Sequence, residues 1–589
     1  MRIEPKDKKM LLKAALGEIP ADLAVTNCKL VNVFTGEIYP AVVYVKEGFV
    51  AHVETQELEG PYNAEKVYDC GGKYLFPGLI DSHMHIESSM MTPRNFAKAV
   101  IPHGTTTIIH DPHELANVYG REAVVYMHDS ASDLPMRQLV DIPSCVPAVP
   151  GCENAGAEFL ADDIRELAKL DRVVGLAEIM DFYGVIHGDQ RMMDIIAAAQ
   201  DCGLYLQGHS PNVKGRLLSA YLCGGPDTCH ETIGGAEARE KLRNGMYVDA
   251  RESSISKNVA DVLSGIRDIR FYDNLSFCTD DRESDDLLHV GHLNAVLRMA
   301  IKNGMDPITA IKSATINAAR EIGIANLGGI APGFSADMVV TDDLSQLWAD
   351  AVFYQGQLVA EHGKMAVEIP DESYEMETRN SMRVKNLSLD DFRFQVPAGK
   401  ESVKVRVMEY LTLTSGLTKC EEYTLPVKDG EVVLDDDMVF IAVINRHGKD
   451  TGSVGIVKHF GLKEGAVAST VSHDSHNLTI AYKKPEDAYA AALEMVNQGG
   501  GMTAVRDGKV LKTLRLPVGG LMSLLDAEHL SVEAAEMKEI ERGLGLTAGE
   551  NPLLRIVTAA LPVSPEVKIS DLGLVSVAEK KILPYIVEE

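Results

Sequence analysis

Three absences limit what this 589-residue sequence can encode. It has no run of about 18 apolar residues, so we expect no membrane-spanning helix. Its first residues, MRIEPKDKKMLLKAALGEIPAD, lack the continuous apolar segment and small-residue cleavage site of a secretory signal. The nine cysteines form no Cys-x-x-Cys pair, which argues against a disulfide or zinc-ribbon framework and is typical of reduced thiols. We therefore expect a cytoplasmic protein.

Positive charge is also scarce. The chain has 57 Lys and Arg against 86 Asp and Glu, which gives a formal net charge of -29. Such an excess of negative charge repels nucleic acids and anionic membrane surfaces, and it favours solubility. We therefore expect no nucleic acid and no membrane among the partners of this protein.

The first stretch that suggests chemistry is LFPGLIDSHMHIESSM, residues 75–90. An apolar run behind a Pro-Gly turn is how a buried strand starts. Residues i and i+2 of a strand project from the same face, so His83 and His85 would aim both imidazoles at one point. Neutral imidazole nitrogens bind first-row metal ions. An isolated His-x-His is equally compatible with two packed or surface histidines, so the interpretation depends on the rest of the chain.

From residue 75 to about residue 328, short apolar strands alternate with helical stretches, which is typical of a parallel α/β array. The clearest strands are residues 105–110, 173–180, 204–209, 246–250 and 275–279. Polar residues gather at their carboxyl ends, which is where an α/β barrel places its chemistry. The pattern therefore predicts one functional site at that end of the array.

Side chains that commonly bind metals lie at these strand ends: His83, His85, Glu178, His209, His230 and Asp280. Some of them have another explanation when taken alone. A buried, charged Glu178 needs a partner, which is either a basic side chain or a cation. His209 is compatible with a packed core histidine, and Asp280 with a helix N-cap. Their joint occurrence at successive strand ends favours a metal site.

Two β-rich segments flank the central array. Residues 1–74 contain three Val/Ile/Tyr-rich runs separated by Thr-Gly and Glu-Gly turns, and residues 329–385 alternate and turn at glycine in the same way. The first segment is too short to bury a large sheet alone, so we predict one small β domain built from both. Residues 386–589 combine alternating runs with helical stretches near 486–496 and 532–542, which predicts a C-terminal α+β domain.

Several motifs together resemble the amidohydrolase superfamily and, within it, the adenine deaminases: PGLIDSHMHIESS, HGTTTIIHDPHELANV at 103–118, the Glu178 strand, GHSP, and FCTDDRESDDLLHVGHLN at 277–294. The resemblance covers nearly the whole chain. It implies an α/β fold with a (β/α)8 TIM-like barrel, the composite β domain and a C-terminal domain of adenine-deaminase type. It also implies a metal-dependent hydrolase of purine salvage that converts adenine to hypoxanthine and ammonia.

The resemblance further implies a centre of two divalent ions. The first ion would be bound by His83 and His85, with Asp280 completing its site. The second ion would be bound by His209 and His230, and Glu178 would bridge the two ions. Relatives that hydrolyse cyclic amides usually carry a carboxylated lysine at the bridging strand, so Glu178 disfavours that chemistry. Mixed nitrogen and oxygen ligation admits manganese, iron or zinc, and we favour manganese or iron.

Two acidic residues are expected to act in catalysis. A divalent ion lowers the pKa of its water from about 15.7 toward about 7, and the hydroxide would attack C6 of the purine. Asp280 is placed to take the proton of the water and pass it to the leaving amine, so that ammonia departs. Glu231, beside His230, is expected to hold or protonate a ring nitrogen. A supporting contact to the ligand histidine explains Glu231 equally well.

Substrate-binding residues are expected in two segments: Asp111, His113 and Glu114 of the DPHE motif, and His473 and His476 of SHDSHN, residues 472–477. A purine edge is read by hydrogen bonds, which these side chains can supply. A solvated loop carboxylate and a separate structural loop are equally good interpretations. The resemblance suggests that the second segment covers the mouth of the barrel.

Two other functions stay open at this point. Another metal-dependent amidohydrolase, acting on a different aminopurine, a pterin or a cyclic amide, would share every ligand and differ only in its contacts to the substrate. The second is a non-catalytic scaffold on a barrel that has lost its metals, and the presence of all six ligand-type residues speaks against it. A homodimer or a higher homo-oligomer is expected from the base rate for soluble enzymes and from the resemblance.

Overall fold

The computed structural model describes residues 2–55, 60–549 and 551–587. The first helix, α1 (Lys8–Ala15), is capped by Asp7, whose carboxylate accepts hydrogen bonds from the backbone of Lys9 and Met10. Across these described ranges, no helix is long and apolar enough to cross a membrane. All nine cysteines are free thiols.

The chain next forms five strands of a small sheet: β1 (Ala21–Asn32), β2 (Glu37–Lys46), β3 (Phe49–Glu54), β4 (Ala64–Asp69) and β5 (Tyr74–Pro77). Strands β1, β2 and β3 form an antiparallel meander, and β4 and β5 both pair with β1 in parallel. Val25, Leu30 and Val43 are buried together in one apolar core. The neighbouring residues Val31 and Phe76 belong to the large core that the barrel strands share, so β1 and β5 are buried on both faces.

The barrel strands come next: β6 (Leu79–His85), β7 (Thr105–His110), β8 (Arg137–Ile142), β9 (Val173–Ile179), β10 (Tyr205–Gly208), β11 (Thr228–Cys229), β12 (Tyr247–Arg251), β13 (Leu275–Cys278) and β14 (Asp280–Asp281). All of their pairings are parallel. Strand β14 follows β13 after Thr279 and pairs with β6, so the eighth strand closes on the first. Between β10 and β11, the Gly208 N–H donates to Thr228 Oγ1 at 3.1 Å. The predicted (β/α)8 barrel is confirmed.

Helices follow the strands around the barrel: α2 (Pro93–Val100), α3 (His113–Tyr119), α4 (Arg121–Asp129), α5 (Ala161–Leu167), α6 (Phe182–His187), α7 (Gln190–Asp201), α8 (Gly215–Cys223), α9 (Gly235–Arg243), α10 (Val259–Ile266), α11 (Ser284–His289), α12 (Leu293–Lys302), α13 (Pro307–Lys312) and α14 (Ala318–Glu321). Short 3-10 turns lie at Glu87–Ser89 and Ile101–His103, and a π-helical turn at Ser313–Asn317 joins α13 to α14. The helix faces and the strands share one large apolar core.

Two barrel strands, β8 and β11, are absent from the five strands that the sequence predicted. Strand β8 opens with Arg137 and Gln138, which break the apolar run although both are buried. Arg137 donates to Ser335 Oγ at 2.7 Å, and Gln138 donates to the Pro93 carbonyl at 2.9 Å. These distant partners compensate the burial of the two polar side chains. Strand β11 is only two residues long, which is too short for any periodic signal.

Four more strands return to the small sheet: β15 (Met338–Thr341), β16 (Ala351–Tyr354), β17 (Gln357–Glu361) and β18 (Lys364–Met365). Strand β15 pairs with β5 in antiparallel fashion, so the sheet order is β18-β17-β16-β15-β5-β1-β2-β3, with β4 on β1. The two flanks of the barrel therefore build one sheet, as predicted from the sequence. The bounds of the domains themselves stay predictions.

A second large sheet forms the C-terminal region: β19 (Ser402–Tyr410), β20 (Thr418–Lys428), β21 (Glu431–Val432), β22 (Met438–Ile444), β23 (Gly452–Lys458), β24 (Ala466–Ser469), β25 (Leu478–Tyr482), β26 (Gly501–Arg506) and β27 (Lys509–Arg515). A small three-stranded sheet ends the region: β28 (Val567–Ser570), β29 (Gly573–Ser576) and β30 (Lys581–Leu583). The helices here are α15 (Pro485–Gln498), α16 (Ala527–Gly543) and α17 (Leu554–Val557), with 3-10 turns before them at Glu375–Thr378 and Leu389–Phe392. The large sheet is antiparallel except where β19 pairs with β23. The predicted C-terminal α+β domain is confirmed.

A buried charge cluster joins the C-terminal region to the barrel. Lys538 of α16 donates to Glu283 Oε2 at 2.9 Å and to Asp285 Oδ2 at 2.7 Å, beside the start of α11. Glu541 lies one turn further along α16 and is buried against the same cluster. Burial, together with the charge of Glu283, raises the pKa of Glu541 to about 8. This interface holds the C-terminal region against the segment that follows β14.

Glu541 should make stability depend on pH. Its pKa is raised in the folded state, so the protonated side chain contributes to the stability of the fold. This contribution is fully present below about pH 4.5 and is lost as the pH rises through about 8. We expect Glu541→Gln, which cannot ionise, to gain about 1–3 kcal/mol in free energy of unfolding relative to wild type between pH 5 and pH 8. Urea unfolding at several pH values would measure this gain. The matched variant Glu539→Gln, on the exposed face of the same helix, should keep the wild-type dependence, and an equal response of both variants would contradict the prediction.

Candidate metal centre

His83 and His85 lie at the carboxyl end of β6, and neighbouring acceptors orient both rings. His83 Nδ1 lies 2.7 Å from Gln207 Oε1, and His85 Nδ1 lies 3.0 Å from the Asp111 carbonyl oxygen. These acceptors assign the ring proton to Nδ1 in each histidine, so each Nε2 presents its lone pair. His83 Nε2 is buried and has no hydrogen-bond partner in the described part of the chain. Both rings are therefore prepared to bind a cation through Nε2.

Glu178, near the end of β9, stands between two pairs of histidines. Its Oε1 atom lies 3.4 Å from His85 Nε2 and 3.8 Å from His83 Nε2. Its Oε2 atom lies 2.6 Å from His209 Nδ1 and 3.2 Å from His230 Nε2. One carboxylate thus faces four ligand-type nitrogens from three strand ends, those of β6, β10 and β11. The arrangement suits a carboxylate that is shared by two cations.

Asp280 faces the first pair of histidines. Its Oδ1 atom lies 3.3 Å from His85 Nε2 and 3.6 Å from His83 Nε2, and its other oxygen accepts a hydrogen bond from Arg251. Asp280 has a φ of 55°, in the left-handed region that a non-glycine residue adopts only at a cost. This conformation is held where β14 pairs with β6, with Asp280 opposite Met84. The backbone is therefore bent at the point where the carboxylate reaches the site.

The two carboxylates are both held in their charged form. Burial raises the pKa of Glu178, but the imidazoles of His230 and His209 outweigh it and hold the pKa well below its usual value. Burial likewise raises the pKa of Asp280, and the Arg251 guanidinium and His83 outweigh it, so this pKa is also well below its usual value. Two buried carboxylates therefore contribute anionic oxygens to a site otherwise made of imidazole nitrogens.

The donor set fits first-row divalent ions. Several groups of ligand atoms lie within 4.8 Å of one another, among them His83 with His230 and Asp280, and Glu178 with His209 and His230. Most of these side chains are buried, and His230 Nδ1 joins His83 Nε2 among the buried atoms without a partner in the described residues. Proteins rarely leave buried polar atoms unpaired without a functional reason. Imidazole nitrogens mixed with carboxylate oxygens suit manganese, iron or zinc.

Arg251 is a residue of this site that the sequence did not predict. It ends β12, and it donates to both oxygens of Glu231, with Nη2 2.9 Å from Oε2, while Nη1 also donates to Asp280. Glu231 Oε1 also lies 3.9 Å from His230 Nε2. The predicted strand ended at residue 250, one residue short of Arg251. A single basic residue at the end of a strand, among several acidic strand ends, was the signal that could have found it.

The DPHE motif starts α3 beside the site. Asp111 accepts hydrogen bonds from the His113 backbone and from His113 Nδ1, both at 3.0 Å. Burial lowers the pKa of His113, but the Asp111 carboxylate outweighs it and holds the pKa well above its usual value. Glu114 Oε1 lies 2.6 Å from Ser88 Oγ, which also lies 2.6 Å from Asp281 Oδ1. Asp111 therefore orients His113, and Ser88 fixes Glu114.

The structure brings the 472–477 segment onto this part of the barrel. Asp474 Oδ1 lies 3.7 Å from His113 Nε2 and 3.5 Å from His473 Nδ1, and His476 Nε2 lies 3.8 Å from Glu114 Oε2. All of these side chains are buried. Burial lowers the pKa of His473, but Glu114, Asp474 and Asp281 outweigh it and raise the pKa to about 9. Asp474 was not among the predicted site residues, because only the tertiary contact with His113 reveals it.

Comparison with known proteins gives two matching families and many full-length relatives. Residues 74–359 match the amidohydrolase family, and residues 415–581 match the adenine deaminase C-terminal domain. The chain is 39% identical over 586 residues to adenine deaminase 2 of Carboxydothermus hydrogenoformans, covering 98% of this chain and 99% of the relative. It is 41% identical over 579 residues to adenine deaminase 3 of Rhizobium meliloti, covering 96% of each.

Two solved structures are also similar to part of the chain. Phenylurea hydrolase B has a TM-score of 0.44 and 16% identity, covering 59% of this chain and 98% of its own. A β-aspartyl dipeptidase from Fervidobacterium islandicum, in complex with a β-Asp-Leu dipeptide, has a TM-score of 0.43 and 16% identity, covering 59% of this chain and 99% of its own.

Gln207 should influence cation binding without touching the cation. Gln207→Leu removes the acceptor of His83 Nδ1–H, so the ring loses its fixed orientation and tautomer. We expect the affinity for Mn²⁺ to fall about 10- to 100-fold, as is usual when such a supporting contact is removed. Isothermal titration of metal-free protein would measure this change. Gln207→Glu keeps an acceptor at the same position and should retain most of the affinity; equal affinities for wild type and Gln207→Leu would contradict the prediction.

Proposed function

We propose that this chain, which belongs to the adenine deaminases of the amidohydrolase superfamily, converts adenine and water to hypoxanthine and ammonia at a centre of two divalent ions. The family consists of metal-dependent hydrolases, and the buried His, Asp and Glu clusters are consistent with a divalent metal. One observation carries the proposal of two ions. The two oxygens of Glu178 face different pairs of histidines, so one carboxylate has ligand-type neighbours on both sides.

Three groups of side chains would hold the ions: His83, His85 and Asp280 for the first, His209 and His230 for the second, and Glu178 between them. When bound, the ions lower the pKa of a coordinated water toward neutrality and polarise the reacting carbon. Manganese or iron is favoured, and zinc is compatible with the same ligands. The ring tautomers fixed by Gln207 and by the Asp111 carbonyl keep two of these ligands in place before any ion binds.

Asp280 is the residue that we assign to proton transfer. It is ionised, and its Oδ1 atom faces the site while Arg251 binds the other oxygen. The attacking water forms a bond to C6 while the C6=N1 double bond opens onto N1, and it gives one proton to Asp280, which then protonates the exocyclic nitrogen. The electron pair on N1 re-forms the ring double bond as the exocyclic nitrogen departs, and the second water proton moves from the new C6 oxygen to N1 in the lactam form of hypoxanthine. The C6–N bond breaks and the nitrogen leaves as ammonia, so no amide ion has to form. Arg251 limits the motion of the carboxylate during both transfers.

Glu231 was proposed from the sequence as a second catalytic residue that holds or protonates a ring nitrogen. Both of its oxygens are bound by Arg251, which also binds Asp280. We therefore propose that Glu231 is a positioning residue. It fixes the guanidinium that orients the proton-transferring carboxylate, and it contributes through that contact.

The substrate would lie between the metal ligands and the 472–477 segment. Of the five predicted binding residues, Glu114, His473 and His476 have buried polar atoms that face one another across the junction of the barrel and the C-terminal region. His113 lies between this group and Glu178, at 3.8 Å from Glu178 Oε1. Asp111 acts on the substrate only through His113, since both of its oxygens are engaged there.

Ammonia release from adenine tests this function. Purified protein would be assayed as isolated, after chelation, and after reloading with Mn²⁺. We expect turnover that disappears on chelation and returns with the metal, together with hypoxanthine equal to the ammonia released. Tightly bound metal without release from adenine would point to another substrate among amidohydrolases, and the absence of any bound metal would favour a non-catalytic role. Sedimentation of the same preparation would test the homodimer, which stays a prediction.

Neighbouring aspartates allow a matched test of the proton-transfer assignment. We expect Asp280→Asn to lower kcat by about 10²- to 10⁴-fold at saturating Mn²⁺, the range typical of a lost acid–base group. Asp281→Asn should have a smaller effect, because Asp281 contacts Ser88 rather than the facing histidines. Steady-state rates of ammonia release would measure both variants. A larger loss of kcat in Asp281→Asn than in Asp280→Asn would contradict the assignment of proton transfer to Asp280.

A further inference from the structure

Two buried polar atoms lie close together at the junction of the barrel and the C-terminal region. His476 Nε2 and Glu114 Oε2 lie 3.8 Å apart, which is too far for a hydrogen bond. Both side chains are fully buried, and neither atom has a hydrogen-bond partner in the described part of the chain. Leaving such atoms unpaired costs free energy, so their presence points to a ligand that pairs with both.

The two atoms have opposite hydrogen-bonding roles. The Ser472 N–H donates to His476 Nδ1 at 3.1 Å, which assigns the ring proton to Nε2 and makes Nε2 a donor. Burial, with the nearby charges of His473 and Arg446, lowers the pKa of His476 well below its usual value, so the ring stays neutral. Glu114 Oε1 is bound by Ser88, and Oε2 remains as an acceptor. A donor and an acceptor therefore lie side by side.

We infer that His476 and Glu114 bind the N3/N9 edge of adenine, with His476 Nε2–H donating to N3 and Glu114 Oε2 accepting from N9–H. This inference rests on the proposed function. Adenine has three edges on which an acceptor and a donor are neighbours: N3 with N9–H, N7 with the amino group, and N1 with the amino group. The amino group is the one that leaves at the metal centre. The edge formed by N3 and N9–H is therefore the one available to this pair.

The pair would distinguish the free base from its derivatives. A substituent on N9 removes the N–H group that would donate a hydrogen bond to Glu114, and it adds bulk at a fully buried position. A site that hydrogen-bonds a group of its substrate strongly rejects analogues without that group, because buried polar atoms are then left unpaired. His476 and Glu114 thus act as specificity-determining residues for a purine that carries no sugar.

Both members of the pair are held in place. Arg446 is fully buried; its Nε donates to the His476 carbonyl, and its Nη1 donates to Ser381 Oγ at 2.7 Å and to the Gly519 carbonyl at 2.9 Å. Glu114 lies in the first turn of α3 and is fixed by Ser88. The donor comes from the C-terminal region and the acceptor from the barrel, so recognition of this edge needs both. The C-terminal region therefore contributes to substrate recognition by supplying the donor.

Purine analogues test which edge is read. Inhibition constants would be measured for 9-methyladenine, 3-deazaadenine and 7-deazaadenine as competitors of adenine deamination. Inhibition reports the binding of each analogue, whereas its rate of deamination would also depend on the altered reactivity of its ring. We expect 9-methyladenine and 3-deazaadenine to bind at least about 100-fold more weakly than 7-deazaadenine. The first leaves Glu114 Oε2 without a donor, and the second leaves His476 Nε2–H without an acceptor. Weak binding of 7-deazaadenine alone, with 9-methyladenine bound well, would overturn the inference in favour of the N7 edge.

Two variants of His476 separate recognition from structure. His476→Asn retains an acceptor for the Ser472 N–H but lacks the donor at Nε2, whereas the longer amide of His476→Gln can place a donor there. We expect His476→Asn to weaken adenine binding about 10- to 100-fold, with little change for 3-deazaadenine, and His476→Gln to restore part of the difference. An equal loss for both ligands in His476→Asn would show a merely structural role and overturn the inference.

The count of bound metal provides the remaining control. The ligand atoms of Glu114, His473 and His476 lie within 4.8 Å of one another, which is also compatible with a further cation. Because the hydrogen-bond network places a proton on His476 Nε2, we expect His476→Asn to keep the wild-type metal content. The loss of one metal equivalent in this variant would overturn the inference. If wild-type protein releases no ammonia from adenine, the proposed function fails, and the direct binding of the same analogues still tests the edge.

Discussion

The site depends on one constraint, the burial of two ionised carboxylates among four imidazoles at one end of the barrel. Glu178 and Asp280 are both at most 4% exposed, and each faces ligand-type nitrogens from other strand ends. Charged groups are buried only when opposite charge compensates them. Arg251 compensates part of the charge of Asp280, and the proposed cations compensate the rest. The closed parallel barrel is what allows such distant residues to meet, because its strands all end on the same side.

The C-terminal region belongs to the same site rather than to a separate module. The 472–477 segment places His473, Asp474 and His476 against α3, and the Lys538 cluster holds α16 against the segment after β14. The interface therefore includes residues that follow Asp280 within a few positions. Loosening it would disturb both the proposed purine contacts and the end of the eighth barrel strand. This arrangement gives a physical reason for the C-terminal region to accompany the barrel.

Much of the site could be predicted from the sequence because local geometry determines it. The i, i+2 spacing of His83 and His85, and the apolar strands that precede Glu178 and Asp280, predict side chains that converge at strand ends. The rest depends on contacts between distant segments. The contact of Arg251 with Glu231 joins residues 20 positions apart, and that of Gln207 with His83 joins residues 124 positions apart. The approach of His476 to Glu114 joins residues that are hundreds of positions apart. No periodicity carries such pairings, and β8 and β11 were missed because buried polar residues or short length hide their pattern.

The most direct test of the two-ion centre is a titration of metal-free protein with Mn²⁺, followed by ammonia release from adenine at each step. If Glu178 is shared by two ions, activity should rise until two equivalents per chain are bound and then stay constant. Glu178 would then be the one ligand common to both sites. A plateau at one equivalent, or full activity before any metal is added, would contradict the two-ion centre.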